Sequence, residues 1–326
     1  MARSDLLIDL VKYGMNGNRS KLIKVIEALI AEERKKQHSV LAKKLEEVLY
    51  YRGSNKVSNG NFPNNGNFEN IALEMIPQKT LGDLILPDIV FQIVETIIKE
   101  QHRVDLLRTY GLEPRNKLLL VGPPGNGKTS LAEAIAESLN LPLVNVKYEG
   151  IVGTYLGETA SRLKKLMDYA STRNCVLFFD EFETLGKERG DTHETGEIKR
   201  VVSSLLMQID NLPSHVIVIA ATNHAELLDR AAWRRFQARI NIPKPTRNKL
   251  EEWFRRFEKK HNFSFGYAPS TLAKKLFGAN FAEIEEFGIS VLRQHVLSLP
   301  DSNVNKIVAK ELREWGEKNV NSNSNE

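Results

Sequence analysis

Gly122-Pro123-Pro124-Gly125-Asn126-Gly127-Lys128-Thr129 decides the fold. The apolar run Leu118–Val121 precedes it and a helix is expected from about Lys128, so the order is strand, glycine-rich turn, helix. Glycines let backbone N–H groups turn inward around phosphate oxygens, and the amino end of the helix adds positive potential. Lys128 is placed to reach the β and γ phosphates, and the Thr129 hydroxyl can ligate Mg²⁺.

Such a site needs a carboxylate near the metal and a group that orients water, preferably at the carboxyl end of a neighbouring buried strand. Val176-Leu177-Phe178-Phe179-Asp180-Glu181 supplies both, with Asp180 toward the hydrated metal and Glu181 toward the attacking water. An apolar strand ending in two acids is common by itself; paired with the phosphate turn upstream it becomes specific. Further short runs at Leu143–Val146, Val216–Ala220 and Arg239–Ile242 alternate with helical segments, which predicts an α/β fold with a parallel sheet covered by helices on both faces. From Arg247 the strands cease, and Leu250–His261, Thr271–Leu276 and Ala282–Leu297 read as helices. Toward the amino end, Leu22, Val25, Ile26, Leu29 and Ile30 recur at helical spacing.

The expected organisation is therefore a small helical module over 1–52, a flexible Asn/Gly-rich linker over 53–70, an α/β domain over 71–246, an all-helical domain over 247–316 and a disordered tail over 317–326. The 326 residues suit about two domains at roughly 150 residues each. Hydrophobic residues at 41% and charged residues at 27% exclude global disorder and a membrane-embedded chain. Lys and Arg exceed Asp and Glu by 46 to 41, a net +5, which permits an anionic partner without identifying a nucleic-acid binder. The single cysteine, Cys175, excludes an internal disulfide and a cysteine zinc site, and it fits a reducing, cytoplasmic setting. Asp9 and Lys12 interrupt the apolar start before a signal-peptide core forms, and no run approaches the roughly 20 apolar residues of a membrane span.

With these motifs in hand, the chain from about Thr80 to Leu297 resembles the AAA-family ATPases, and is most similar to the single-ring type that includes katanin and spastin. The resemblance implies a P-loop NTPase domain followed by a helical lid, ATP and Mg²⁺ as cofactors, and a homo-oligomer, a hexamer, with ATP at the subunit interface. It makes Gly122, Pro123, Pro124, Gly125, Asn126, Gly127, Lys128, Thr129, Ser130 and Asp180 the nucleotide-binding set, with Thr129 and Asp180 on the metal. Val216–Asn223 is similar to the strand ending in the family's first sensor, so Asn223 joins Glu181 in catalysis; as an Asn it could equally cap the next helix. Leu228–Phe236 is similar to the arginine-finger segment, which marks Arg234 and Arg235, otherwise an ordinary solvated basic cluster.

Thr154-Tyr155-Leu156-Gly157-Glu158 resembles the first pore loop, with Tyr155 and Leu156 as the residues gripping a polypeptide in the ring's channel; the bland alternative has both covering a core. Glu188–Glu194 corresponds loosely to the second pore loop. In the lid, Phe277–Ile284 departs from the family pattern: Phe281 stands where a small glycine is expected near adenine, and no arginine occurs there, which puts weight on Arg234 and Arg235. Gly82-Asp83-Leu84-Ile85 resembles a segment whose backbone contacts adenine. No H-E-x-x-H or G-x-S-x-G occurs, and the final residues lack a hydrophobic-Tyr docking tail. The resemblance thus implies an ATP-hydrolysing protein remodeller that meets a protein substrate or partner through its amino-terminal module. The rivals are an ATP-gated switch for a separately encoded partner such as a protease, and a nucleic-acid-associated AAA+ loader.

Overall fold

The computed structural model describes residues 70–151, 156–185, 195–228 and 230–323, together with Val25, Ile26, Ala28, Leu29, Ile30 and Glu32. The chain divides into two compact units, Met1–Gly60 and Asn61–Glu326, the division falling within the stretch 53–70. In the first unit the described residues are helical, and Val25, Leu29 and Ile30 are buried. The remainder of the expected module and 53–69 of the expected linker lie outside the described residues.

In the second unit a six-stranded sheet has the order β1-β3-β4-β5-β2-β6, with β1 Ala72–Met75, β2 Lys117–Val121, β3 Leu143–Val146, β4 Val176–Phe179, β5 Ile217–Thr222 and β6 Ala238–Asn241. Strands β2 to β6 are parallel to one another, and β1 runs antiparallel to β3 at the edge. Side chains alternate between two cores. Leu119, Leu177, Phe179, Val218 and Ala220 face one side, where α5 (Leu156–Ser171) and α6 (Thr195–Asn211) cover them. Leu118, Leu120, Phe178, Ile219 and Ala221 face the other, under α1 (Asp88–His102) and α3 (Lys128–Ser138); the short α2 (Val104–Thr109) follows α1. Burial on both faces is why β4 and β5 read as unbroken apolar runs rather than alternating ones.

Strand β1 was not expected. It is four residues long, and it carries Glu74, whose carboxylate accepts a hydrogen bond from Tyr169. Short, charged edges of this kind give little sequence signal and discourage further pairing. Cys175 is buried just before β4, and burial above all pushes its thiol up to about 12, so it is an unreactive packing group. Among the described residues no helix is long and apolar enough to cross a membrane.

The short helices α4 (Tyr148–Ile151) and α7 (Arg230–Arg235) complete the α/β part, and α8 (Arg247–His261), α9 (Pro269–Lys275), α10 (Phe281–Leu297) and α11 (Val304–Asn323) form the helical part. Its core is aromatic: Phe254 meets Phe265 edge-on at 5.3 Å and Phe287 at 6.3 Å, with Leu250, Leu272, Ile284 and Val291 around them. Helix α11 runs to Asn323, into the stretch expected as a tail over 317–326, of which 324–326 lie outside the described residues. Asn303 accepts a hydrogen bond from the Lys306 N–H at 3.1 Å, and Val308, Leu312 and Trp315 pack on the helical core. A helix nucleated and anchored in this way propagates at little cost through the polar residues that follow.

Candidate functional site

β2 lies between β5 and β6, where the chain order reverses direction across the sheet, so a crevice opens at its carboxyl end. The glycine turn fills that position. Gly122 has φ +153°, and a Cβ there would lie 2.1 Å from the Ile242 carbonyl oxygen at the end of β6. A Cβ on Gly125, at φ +73°, would meet the Asn280 side chain at 2.6 Å. Gly127, at φ +85°, turns the backbone into α3 and accepts the Leu131 N–H at 2.8 Å. Gly122→Ala should therefore cost on the order of 1–3 kcal/mol for the strained backbone alone, with a further cost for the clash. A melting curve should fall by several degrees, and an unchanged midpoint would show that the turn has other conformations open to it.

Lys128 is folded back onto this turn. It is 7% exposed, and its ammonium donates to Gly122 O at 2.7 Å, Pro123 O at 3.0 Å and Asn223 Oδ1 at 2.6 Å. Burial lowers its pKa, against the opposing charges of Asp180 and Glu183. Across the crevice, Asp180 Oδ2 accepts from Thr129 Oγ1 at 2.8 Å and Oδ1 from the Glu181 N–H at 3.0 Å. Glu181 is exposed and adopts φ +46°, a left-handed conformation unusual for a residue with a side chain. Thr184 holds it there, donating to the Glu181 carbonyl through both its N–H and its hydroxyl, each at 2.8 Å.

Two residues that sequence reasoning passed over stand behind these. Glu183 is 2% exposed, and its Oε1 accepts the Asn223 N–H at 3.1 Å. The acidic pair-plus-one spacing Asp180-Glu181-Phe182-Glu183 was the available signal. Ala282, at the start of α10, donates its N–H to Gly125 O at 3.0 Å, and no sequence signal marks it. Asn280 and Glu283 cap α10 reciprocally, each side chain accepting the other's N–H. Phe281 is half-buried at the first position of α10, so the departure from glycine leaves the helix start beside the phosphate turn.

The two marked arginines differ. Arg235 Nε donates to Asp210 Oδ2 at 2.7 Å, whereas Arg234 is exposed. The Trp233 indole N–H reaches the Ala225 carbonyl at 3.3 Å, fixing α7 from the side opposite solvent. Ser130 Oγ accepts from Lys79 Nζ at 2.8 Å, and the carbonyl of Gly82 accepts from Arg256 Nη1 at 2.8 Å, tying the expected adenine segment to α8. Asn126 Nδ2 donates to Pro123 O at 3.3 Å, while its Oδ1 is buried with no partner. Leu156 begins α5, but Tyr155, Thr154 and 186–194, which carry the expected pore loops, lie outside the described residues.

These residues fit a magnesium nucleotide. Cβ-free positions cradle the space over the α3 amino end, a buried cation sits beneath it, and a hydroxyl and a carboxylate stand together as hard oxygen ligands. Among the described residues no cluster of three or more His, Cys, Asp or Glu could enclose a metal. Mg²⁺ binds through one or two carboxylates plus substrate phosphates, and the paired Thr129 hydroxyl and Asp180 carboxylate offer such a partial set.

Comparison with known proteins agrees with this chemistry. Residues 118–244 match the family described as "ATPase family associated with various cellular activities (AAA)". An uncharacterized AAA family ATPase of Sinorhizobium fredii is 34% identical over 91% of this chain and 90% of its own length. The 26S proteasome regulatory subunit 8 homolog of Encephalitozoon cuniculi is 30% identical over 70% of this chain and 60% of its own length. An AAA ATPase forming ring-shaped complexes from Corynebacterium diphtheriae is 32% identical over 59% of this chain and 41% of its own length. The chain spans less than two thirds of the latter two relatives.

Proposed function

The chain belongs to the AAA family of ATPases and hydrolyses ATP, and on that premise we propose that it is a ring-forming remodeller of protein partners. The observation that carries this reading is the contrast within α7. Arg235 is held by Asp210 of its own chain, while Arg234 stands in solvent, as a residue serving a neighbouring copy's nucleotide must. The Corynebacterium relative is named for ring-shaped complexes, and we carry that to this chain as a homo-hexamer. The branch typified by katanin and spastin is our reading from Tyr155-Leu156-Gly157 and from the lack of an arginine between 277 and 284. A cytoplasmic setting and a partner-binding role for the amino-terminal module belong to the same proposal.

Thr129 and Asp180 would hold Mg²⁺, which would screen the phosphate charges and polarise the γ-phosphoryl group. The backbone N–H groups of the glycine turn hold the phosphates, and Lys128 exchanges the carbonyls of Gly122 and Pro123 for β and γ oxygens. Asn223 orients water against the γ-phosphorus. Glu181 takes a proton as the water oxygen bonds to phosphorus and the bond to the β,γ-bridging oxygen breaks, giving ADP and phosphate. Arg234 of a neighbouring copy neutralises the charge that spreads over the transferring group.

Tyr155→Ala tests the remodelling half. Basal hydrolysis should persist while force on a fluorescein-labelled unfolded polypeptide is lost, because truncating a hot-spot aromatic removes roughly 2 kcal/mol or more of contact. Were Tyr155 a core residue, a cavity costing about 3–5 kcal/mol would lower the melting temperature and the ATPase rate together. A stable Tyr155→Ala protein that still processes the polypeptide normally would leave the ATP-gated switch as the better account.

A further inference from the structure

Among the described residues three buried polar atoms lack a hydrogen-bond partner: Asn126 Oδ1 in the phosphate turn, Glu183 Oε2 and the Tyr148 hydroxyl. Asn126 Oδ1 stands where nucleotide would arrive. The other two are unexplained by the hydrolytic scheme, and they are chemically complementary, since a phenol donates and a carboxylate oxygen only accepts. They also share surroundings. Tyr148 packs against the buried cluster that includes Phe179 and Phe182, and β3 and β4 pair in parallel with Asn145 opposite Phe178, so Tyr148 and Glu183 both follow the carboxyl ends of neighbouring strands. Burial in the first place, then the charges of Asp180, Glu183 and Glu181, push the Tyr148 phenol well above its ordinary pKa, so at neutral pH it is a donor. An orphaned buried hydroxyl costs stability that a phenylalanine of the same shape would not incur, and it calls for a bridging water or a partner reached in another state.

We propose that Tyr148 is a positioning residue for ATP hydrolysis, its hydroxyl donating to Glu183 Oε2 through one buried water or directly once nucleotide is bound. Glu183 Oε1 already holds the Asn223 N–H, and Asn223 Oδ1 takes the Lys128 ammonium. Fixing the free oxygen of Glu183 therefore fixes the carboxylate plane, and with it the end of β5 from which Asn223 addresses the γ-phosphate. Tyr148 acts through Glu183 and Asn223 and touches no reacting atom. The role of Asn223 rests on the proposed mechanism, whereas the link from Tyr148 to Glu183 does not.

Tyr148→Phe removes one oxygen and keeps the packed ring. Steady-state kinetics should show kcat about tenfold lower with KM for ATP within twofold of wild type, and the melting temperature should be unchanged or higher. Glu183→Gln should lower kcat as well, and adding Tyr148→Phe to it should reduce kcat by less than twofold further, because the pair works as a unit. A Tyr148→Phe protein with wild-type kcat would overturn the proposal. So would a parallel loss of melting temperature and kcat, which marks a structural role, or full additivity in the double variant. If instead Asn223→Ala leaves kcat intact, the assignment of Asn223 fails while the Tyr148–Glu183 coupling is still read from the cycle.

Discussion

Lys128→Ala should abolish measurable ATP binding, raising the dissociation constant at least about 100-fold. The magnitude follows from what the ammonium does now and what it would do with nucleotide. It is a buried cation, and all three of its donors are taken by Gly122, Pro123 and Asn223. Charge-assisted hydrogen bonds contribute roughly 1.5–3 kcal/mol each, so losing contacts to two phosphate groups exceeds a hundredfold even after the cost of leaving its present acceptors. Titration with a fluorescent ATP analogue measures the effect. Lys128→Met, which keeps most of the stem, separates charge from packing: it should melt close to wild type and still fail to bind. Binding by Lys128→Met within threefold of wild type would remove the lysine from the phosphate site.

The second large effect belongs to Glu181. Glu181→Gln should bind ATP normally and hydrolyse it about 10²–10⁴-fold more slowly, the range a positioned general base contributes. The backbone offers a control. Glu181 is held at φ +46° by Thr184, a conformation that costs a side-chain-bearing residue on the order of 1–3 kcal/mol and costs glycine almost nothing. Glu181→Gly should therefore be as inactive as the glutamine variant yet at least as stable as wild type. In mixed assemblies, Glu181→Gln subunits combined with Arg234→Ala subunits should hydrolyse more than the sum of their parts if each site is built from two chains, because an Arg234→Ala subunit keeps Glu181 and takes Arg234 from its Glu181→Gln neighbour. Rapid hydrolysis by Glu181→Gln would refute the assignment of the base.

What the sequence disclosed and what it hid have a common physical explanation. The phosphate turn and Asp180-Glu181 were legible because each is contiguous, and because backbone geometry and metal chemistry restrict which residues can stand there. The sheet's parallel core was legible because burial on both faces leaves unbroken apolar runs. Glu183, Tyr148 and the Ala282–Gly125 contact were not, since their meaning lies in partners 40 or more residues away or in no partner at all. Likewise β1 is too short and too charged to stand out, and α11 extends into Asn and Ser residues that by composition favour turns. The difference between Arg234 and Arg235 could not be read from adjacent identical letters; it comes from Asp210 on α6.

The bond between Ala282 N–H and Gly125 O makes the first turn of α10 a fulcrum. Helix α10 has 17 residues, about 25 Å at 1.5 Å per residue, and is capped rigidly at the end that rests on the phosphate turn. A tilt of about 5° at that pivot displaces the far end by about 2 Å. Val296, Leu297 and Leu299, at 56%, 80% and 56% exposed, lie at that far end and would move the most. Any adjustment of Gly125 to a phosphate would therefore be largest at the apolar tip of the helix rather than at the nucleotide pocket itself.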